Sequence, residues 1–576
     1  MSRRTKALTF MLTYILMLLL LFGTAFNSLE ASAAVETSAA APGWNMPQVG
    51  FVVDTTASMG PELNALAAAW QAQAQQGPLS GNYHLVGFKD SAMYLGQTES
   101  PGTFYNWLSA LEASGGGKCP DHALAGLLNM ARNMPQSLTP ASEILLVTDA
   151  APLGKRTTYA HLANRLLKRG VQVHTLSNGW CPDHPITENA LVFLTMASGG
   201  EFLLTDGPNY YTDTLIVLNK IDATDRLGIF QGTVSPGNPL SFDLEVDGTM
   251  TTLGVEDDDY PVWCLTCTRR IPGLSAFGFA APEGTFTVEL RDPKGNLVGT
   301  GTDGYEELSS AYRRFQRLST TSGLITGTWK VEVRGNGSFW IDYYADSTLH
   351  LLYAGRHTRQ AGKPVPFQAT LVNEVGNPSL VKSASFSLIS MDGRQEQPIE
   401  LFDDGQHGDG ATGDGVYGGM VQRDHEGCWM LMVRGTLQDG SSFSRMYPAP
   451  IRFRGFSLDD PAPSSAVPGT PQTINFTLVN GETTRAAKAT TFDLEVFSDQ
   501  GWAITNTVPL SVTLQPGERF NIEVPIQVPE NTSVGTTDNV VLVSAPTTDI
   551  GMATSATAEL EVVDSFKVFL PVVLRD

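Results

Sequence analysis

Residues 49–59, Val-Gly-Phe-Val-Val-Asp-Thr-Thr-Ala-Ser-Met, join an apolar run to a polar loop. The run at residues 49–53 is apolar throughout, as is typical of a β-strand buried on both faces. Asp54, Thr56 and Ser58 follow it at alternate positions, which places a carboxylate and two hydroxyls around one tight loop. These oxygen ligands suit a hard cation such as Mg²⁺.

The sequence around this run, residues 46–220, alternates strand-like and helix-like segments. The strand-like segments are 49–53, 84–88, 143–147, 171–176 and 202–204. The helix-like segments are 61–75, 107–111, 121–132, 159–168, 188–197 and 212–220. This order predicts a doubly wound α/β domain, Rossmann-like, with helices on both faces of a parallel sheet. Ligands of such sheets bind at the carboxyl ends of the strands.

A second carboxylate follows another predicted strand. Residues 145–149 read Leu-Leu-Val-Thr-Asp, so Asp149 comes at a strand's carboxyl end, where it can face the first loop. Asp54, Thr56, Ser58 and Asp149 are therefore candidate metal ligands. Two simpler interpretations stay open: the Asp54 loop caps the next helix, and Asp149 is a turn residue before Ala-Ala-Pro.

The Asp-x-Thr-x-Ser loop with the later Leu-Leu-Val-Thr-Asp resembles the metal-ion-dependent adhesion site of von Willebrand factor A domains. The likeness covers residues 46–220, and residues 86–90 and 113–120 are similar to the family's hemicentin-like branch. The resemblance implies that the protein holds the metal incompletely and that an acidic group of a ligand fills the open position. It carries Asp54, Thr56, Ser58 and Asp149 over as ligands, directly or through water.

The sequence departs from this family in the middle loop, which usually supplies a Thr. The matching residues here are 115–121, and Lys118 stands where the hemicentin-like branch commonly has an acidic residue. A lysine ammonium would compete with the cation, while Asp121 could compensate from the next helix. The resemblance also implies a disulfide between Cys119 and Cys181 that pins this loop.

The chain has five cysteines, and two bridges with one odd thiol is the simplest count. Connectivity cannot be derived from sequence alone. Cys264 and Cys267 have the CxxC spacing, but no second ligand pair for zinc is evident, and the surrounding sequence is β-like. A local structural disulfide is the preferred interpretation.

The N-terminal residues 1–33 are predicted to be a signal peptide. Three basic residues precede an apolar run at 11–22, and Ala31-Ser32-Ala33 is a small-residue cleavage site. An uncleaved membrane anchor is the alternative. The sequence therefore predicts a secreted or surface-displayed protein with no membrane span after signal removal. The formal net charge of −22 argues against nucleic acid as a partner.

Beyond residue 221 the sequence predicts about three all-β sandwich domains. They cover 221–346, 347–456 (immunoglobulin-like) and 457–563 (immunoglobulin-like), and 564–576 form a tail that is either a sorting signal or a final strand. Turns are expected at 292–296 and 336–337, and a linker at 459–469. The first and last blocks loosely resemble the β-domain that follows hemicentin-like A domains and bacterial immunoglobulin-like modules.

An acidic, Gly-rich stretch interrupts the second β block at residues 403–417. Its carboxylates are Asp403, Asp404, Asp409 and Asp414. Four carboxylates in a tight loop could bind Ca²⁺, although the spacing is not that of a helix-loop-helix calcium site. A structural turn is the alternative.

The leading hypothesis is a bacterial extracellular adhesion or binding protein. Its A domain would bind Mg²⁺ (or Mn²⁺ or Ca²⁺) and recognise an acidic group of a protein or matrix ligand, with the β modules as a stalk. No catalytic residue is assigned. A secreted hydrolase with carboxylate chemistry on the β modules is one alternative, and a metal-free surface scaffold, favoured by Lys118, is the other.

Overall fold

The computed structural model describes most of the chain between residues 48 and 564. The described ranges are 48–76, 81–116, 122–134, 142–150, 155–167, 169–178, 190–205, 207–222, 225–258, 285–310, 313–320, 323–353, 355, 357–373, 377–378, 380–390, 395–481, 489–547 and 553–564. The predicted signal peptide, Lys118, Asp121 and residues 565–576 lie outside these ranges. No helix within them is long and apolar enough to cross a membrane.

The first domain is built on a six-stranded sheet in the order β3-β2-β1-β4-β5-β6. Its strands are β1 Gln48–Asp54, β2 Asn82–Phe88, β3 Ala92–Thr98, β4 Ser142–Thr148, β5 Val171–Ser177 and β6 Phe202–Leu204. All neighbouring pairs are parallel except β2 with β3. Every residue of β1 is buried, as its apolar run predicts.

Helices cover both faces of this sheet, which confirms the predicted doubly wound α/β fold. They are α1 Gly60–Gln76, α2 Pro101–Ser109, α3 Ala123–Asn133, α4 Arg156–Leu167, α5 Ala190–Ser198 and α6 Tyr210–Asp222. Apolar side chains of α3, α4 and α5 form one core with the sheet, and those of α1, α2 and α6 form a second. The predicted strand–helix order thus places the carboxyl ends of β1 and β4 side by side.

The second domain is an all-β assembly organised by one long strand, β14. Its strands are β7 Asp225–Val234, β8 Leu240–Val246, β9 Met250–Asp258, β10 Thr285–Arg291, β11 Leu297–Val298, β12 Tyr305–Ser309, β13 Arg313–Ser319 and β14 Gly327–Ser347. The turn predicted at 336–337 is wrong. These residues lie inside β14, where the strand leaves β8 and β10 and begins to pair with β7 and β9, and Gly335 and Gly337 have φ angles of 130° and 127°.

The third and fourth domains each consist of two sheets. The third contains β15 Leu349–Tyr353, β16 Thr358–Gln360, β17 Val365–Asn373, β18 Val381–Ser390, β19 Glu396–Ile399, β20 Val416–Val421, β21 Gly427–Leu437, β22 Ser442–Met446 and β23 Ile451–Arg454. The fourth contains β24 Phe456–Asp459, β25 Ser464–Ala466, β26 Gln472–Asn480, β27 Thr490–Ser498, β28 Ser511–Leu514, β29 Arg519–Ile526, β30 Thr537–Pro546 and β31 Thr554–Val562. Beyond Asp222, the described residues contain strands but no α-helix, as the sequence predicts.

The linker predicted at 459–469 is part of the fourth domain. Its residues 464–466 form β25, which pairs in parallel with β31, and Ala466 is fully buried. Proline and small polar residues also suit an edge strand, so composition alone did not separate the two structures.

Of the five cysteines, Cys428 lies on β21 and is disulfide-bonded. The cysteines of the predicted Cys119–Cys181 and Cys264–Cys267 disulfides lie outside the described residues, so both pairings stay predictions.

Candidate metal site

Asp54 ends β1 and is fully buried. Its Oδ1 accepts the backbone N–H of Thr56 at 2.9 Å, and its Oδ2 accepts the hydroxyl of Thr148 at 2.9 Å. The carboxylate therefore shapes the loop that follows β1 and ties it to the end of β4. Because both oxygens already accept hydrogen bonds, its main contribution to a cation is buried negative charge.

Thr56 and Ser58 present hydroxyls on the same loop. Their Oγ atoms lie 3.1 Å apart, close to the separation of about 2.9 Å between adjacent ligands of an octahedron with Mg²⁺ bond lengths. Thr56 is buried and Ser58 is exposed, so the pair spans the boundary with solvent. Thr56 precedes the short 3₁₀ turn Ala57–Met59 but makes no side-chain capping bond to it, which argues against the helix-cap interpretation.

Asp149 is the first residue after β4. Since β4 pairs in parallel with β1, with Val147 beside Val53, Asp149 comes at the same edge of the sheet as the Asp54 loop. The N–H of Ala150 donates to the Thr148 hydroxyl at 3.2 Å, which fixes the chain on the far side of Asp149. Asp149 itself is half-buried. The four residues predicted as ligands thus belong to two adjoining loops.

The described start of the middle loop, residues 114–116, packs directly against this site. Ala57 N–H donates to Gly115 O at 3.0 Å, and Ser114 N–H donates to Thr55 O at 3.0 Å. A Cβ on Gly116, whose φ is 71°, would lie 2.5 Å from the methyl carbon of Thr56. Only glycine allows this approach without displacing the candidate ligand.

Three residues that sequence reasoning did not select, Glu62, Asn178 and Tyr210, complete the surroundings of the site. Glu62 is buried in the first turn of α1, and the Asn178 side chain donates to its Oε1. Asn178 N–H also donates to Thr148 O at 3.2 Å. The position of Glu62 four residues after Ser58 was a signal that could have been noticed, but its contact with Asn178 depends on the tertiary fold.

The pKa of Tyr210, at the start of α6, indicates that the electrostatic potential around the site is negative. Burial, together with the negative charges of Glu62, Asp54 and Asp149, raises the pKa of Tyr210 well above its usual value. The same negative potential would attract a cation. Among the described residues, no group of three or more His, Cys, Asp or Glu side chains is arranged to hold a metal. A cation here would therefore rely on the hydroxyls of Thr56 and Ser58.

The second candidate metal loop, residues 403–415, is organised by its own backbone. Asp403 Oδ1 accepts the N–H of Gly413 at 2.7 Å, and its Oδ2 accepts that of Gly415 at 3.1 Å. Asp414 Oδ2 and Oδ1 accept the N–H groups of Ala411 and Val416 at 2.8 and 3.0 Å. Carboxylates that satisfy backbone donors in this way favour the structural-turn interpretation over calcium.

The comparisons with known families agree with this geometry. The von Willebrand factor A domain family matches residues 48–199, and the second Ig-like domain of conditioned medium factor matches residues 351–449. The chain therefore contains a von Willebrand factor A domain followed by a mostly β region that includes an Ig-like domain.

Similar proteins match only parts of the chain. Human von Willebrand factor A domain-containing protein 7 is 25% identical over 326 residues, which cover 53% of this chain and 32% of that protein. The mouse protein is 26% identical over 325 residues, with the same coverage. The chain thus spans about a third of the length of these relatives.

Solved structures show distant likeness. A von Willebrand factor type A protein from Catenulispora acidiphila has 11% identity and a TM-score of 0.26, covering 57% of this chain and 62% of its own. The structure of proximal thread matrix protein 1 from the mussel byssus has a zinc-occupied metal-ion-dependent adhesion site (MIDAS) motif. It has 18% identity and a TM-score of 0.26, and the match covers 32% of this chain and 46% of that protein. Neither likeness bears on the ligands of the present site.

Proposed function

We propose that this protein is an extracellular binding protein whose A domain holds a divalent cation, such as Mg²⁺, at Asp54, Thr56, Ser58 and Asp149. The observation that carries the proposal is the meeting of these residues at the adjoining carboxyl ends of β1 and β4. The bound cation would supply a Lewis-acidic position for an acidic group of a protein or matrix ligand.

The candidate ligands differ in burial, and we assign each a role accordingly. Asp54 is fully buried and orients Thr56 and Thr148, so it supplies charge and shape. The exposed Ser58 hydroxyl and the half-buried Asp149 border the solvent side, where a ligand can approach. The predicted signal peptide supports export, and the −22 net charge supports attraction of cations to the surface.

The first experiment is a calorimetric titration of Mg²⁺ and Mn²⁺ into the purified chain and two variants, Ser58→Ala and Asp149→Asn. Both side chains are at least partly exposed, so neither change removes a core contact. We expect each variant to bind the cation at least about tenfold more weakly, the loss expected from removing one ligand oxygen or its charge.

The matched control is Ser114→Ala, which deletes a hydroxyl on the adjacent loop that bonds to Lys89 rather than to the candidate ligands. It should leave cation affinity unchanged. Absence of binding by the wild type would reject the metal claim and point to the metal-free scaffold. Wild-type affinity in both Ser58→Ala and Asp149→Asn would show that the cation binds elsewhere.

A ligand search then uses cell-surface and matrix proteins with and without chelator. Capture that chelator abolishes and Asp149→Asn weakens would identify the acidic-group ligand. The hydrolase alternative depends on carboxylates of the β modules that are available for catalysis. Asp403 and Asp414 accept backbone hydrogen bonds, which argues against these two residues as the catalytic carboxylates.

A further inference from the structure

Asn178, directly after β5, bonds to residues on both sides of the candidate metal site. Its backbone N–H donates to Thr148 O at 3.2 Å, and its side-chain amide donates to Glu62 Oε1. Thr148 in turn donates its hydroxyl to Asp54 Oδ2 at 2.9 Å. A continuous series of hydrogen-bonding residues therefore runs from Glu62, in the first turn of α1, past the ends of β5 and β4 to Asp54 at the end of β1.

Glu62 belongs to the same helical segment as the candidate hydroxyl ligands. The 3₁₀ turn Ala57–Met59 contains Ser58 and leads directly into α1, which begins at Gly60. Met59 N–H donates to Thr56 O at 3.1 Å, which ties the turn to the ligand loop. A shift of the start of α1 would therefore carry residues 56–58 with it, and the bond between Glu62 and Asn178 restrains that shift.

Glu62 also adds charge to the site. It is a buried acid, and its Oε2 has no hydrogen-bond partner among the described residues. Burial raises the pKa of Tyr210, and the charges of Glu62, Asp54 and Asp149 raise it further. Glu62 thus acts on the same buried side chain as the two acidic candidate ligands. A buried carboxylate oxygen that accepts no hydrogen bond is unfavourable, and a cation nearby would offset this cost.

We infer that Glu62 is a positioning residue for the cation: through Asn178 it holds residues 56–58 at a fixed distance from the end of β4, and its carboxylate adds a third negative charge. The inference rests on the function proposed above. It assigns two separable effects to one side chain, because the hydrogen bond fixes the geometry of the ligands and the charge strengthens their attraction for a cation.

The first test compares Glu62→Gln with Glu143→Gln in the full chain. Glutamine keeps an oxygen that can accept from Asn178 but removes the charge. Glu143 is the matched control because it is also a buried acid of the A domain, but it lies near the amino end of β4 and pairs with His174. Mn²⁺ affinity is measured by electron paramagnetic resonance. We expect about tenfold weaker binding for Glu62→Gln, as for other groups that support metal ligands, and wild-type affinity for Glu143→Gln.

Asn178→Ala separates geometry from charge, because it deletes the hydrogen bond and leaves the Glu62 carboxylate in place. We expect a loss of affinity of about tenfold and a broader spectrum of bound Mn²⁺, since the ligands lose their fixed positions. Glu62→Gln should keep the wild-type spectrum, a difference that a general loss of stability would not produce. In the metal-free protein, amides of residues 56–62 should exchange with solvent faster in Asn178→Ala than in Glu62→Gln or the wild type.

The outcomes distinguish this inference from the proposed function. Wild-type Mn²⁺ affinity in both Glu62→Gln and Asn178→Ala, or an equal loss in Glu143→Gln, would overturn the inference and leave the proposed function standing. Absence of Mn²⁺ binding by the wild type would instead reject the proposed function, and the cation role of Glu62 with it. Circular dichroism checks that each variant folds. If Glu62→Gln does not fold, Asn178→Ala decides, because Asn178 is only half-buried.

Discussion

At the residue scale, the Thr148 hydroxyl links the two loops of the candidate metal site. It donates to Asp54 Oδ2 at 2.9 Å and accepts Ala150 N–H at 3.2 Å. Both Thr148 and Asp54 are fully buried. A hydrogen bond to a buried charged group contributes more than a neutral one, so this single hydroxyl stabilises the A domain as well as placing Asp149.

Thr148→Val should therefore lower the free energy of unfolding by about 1.5–3 kcal/mol, the range for hydrogen bonds to charged groups. The valine keeps the volume and removes only the hydroxyl. Urea unfolding followed by circular dichroism measures the loss. Thr148→Ser keeps the hydroxyl and should lose less than Thr148→Val; a loss in Thr148→Ser with wild-type stability in Thr148→Val would show that packing of the methyl, not the hydrogen bond, is what matters.

The sequence predicted the residues of this site that follow one another in the chain. Alternation in 54–58 selected Asp54, Thr56 and Ser58, and the repeated strand-then-Asp pattern selected Asp149. Glu62, Asn178 and Tyr210 meet only when α1, the end of β5 and α6 come together, and no local pattern encodes that meeting. Their selection needed the tertiary fold.

At the element scale, the loop at residues 403–415 shows how carboxylates can build structure. Asp409 is fully buried, and it accepts the N–H groups of Gly405 at 2.8 Å and His407 at 3.0 Å as well as that of Asp404. Burial alone would raise the pKa of Asp409, but these backbone hydrogen bonds outweigh it and lower the pKa below its usual value.

This lowered pKa predicts acid sensitivity of the loop. A carboxylate with a depressed folded-state pKa contributes stability that is complete above the unfolded pKa of about 3.9 and is lost as pH falls through the folded value. Asp409→Asn should lower the urea midpoint at pH 7, and the difference from wild type should shrink as the pH falls below about 4. Urea titrations at pH 7 and pH 3 measure both midpoints.

Adding calcium tests whether the loop at residues 403–415 is a structural turn or a calcium site. Added Ca²⁺ should change the melting temperature of wild type and Asp403→Asn by the same amount if the carboxylates of this loop serve only the turn. A rise in the wild type that Asp403→Asn abolishes would instead identify the loop as a calcium site, since ligand binding to the folded state raises apparent stability.

Sequence patterns were most informative for elements whose surroundings are uniform. Strands β1 and β4 are buried along their whole length, and their apolar runs located them. Strand β3 was missed: it is an antiparallel edge strand whose Met93 and Leu95 are exposed, so its alternation does not separate apolar from polar residues. The long strand β14 was not recognised as one element because Asn336-Gly337, inside it, has the composition of a turn.

At the scale of the whole molecule, the β domains do not follow the A domain as a simple stalk. The fourth domain packs on α4, and the third reaches the A domain at Gly199, where a Cβ would lie 2.8 Å from the Ala449 backbone. The charge and composition of the chain do not predict these contacts, because the residues that form them come from distant parts of the chain.

The second and third domains are joined by a buried ion pair between Arg445 and Asp247, 2.9 Å apart and both fully buried. Arg445 also donates to Thr249, Ser347 and Leu349 O at 2.7, 2.6 and 2.9 Å. These bonds satisfy the guanidinium with groups from the turn between β8 and β9, the end of β14 and the start of β15. The two domains should therefore unfold together.

Arg445→Met tests this coupling because it leaves Asp247 buried without its cation. Removing one partner of a buried pair costs about 3–5 kcal/mol, so the second and third domains should lose that stability together, measured by hydrogen exchange of β8 and β22 in increasing urea.

Arg314→Met, which breaks the exposed pair with Glu307 at 2.9 Å, is the control and should cost at most about 1 kcal/mol. The double variant Arg445→Met with Asp247→Leu should recover part of the loss, since it removes the stranded charge. If Arg445→Met destabilised β22 while β8 kept wild-type protection, the two domains would be independent and the ion pair would serve the third domain alone.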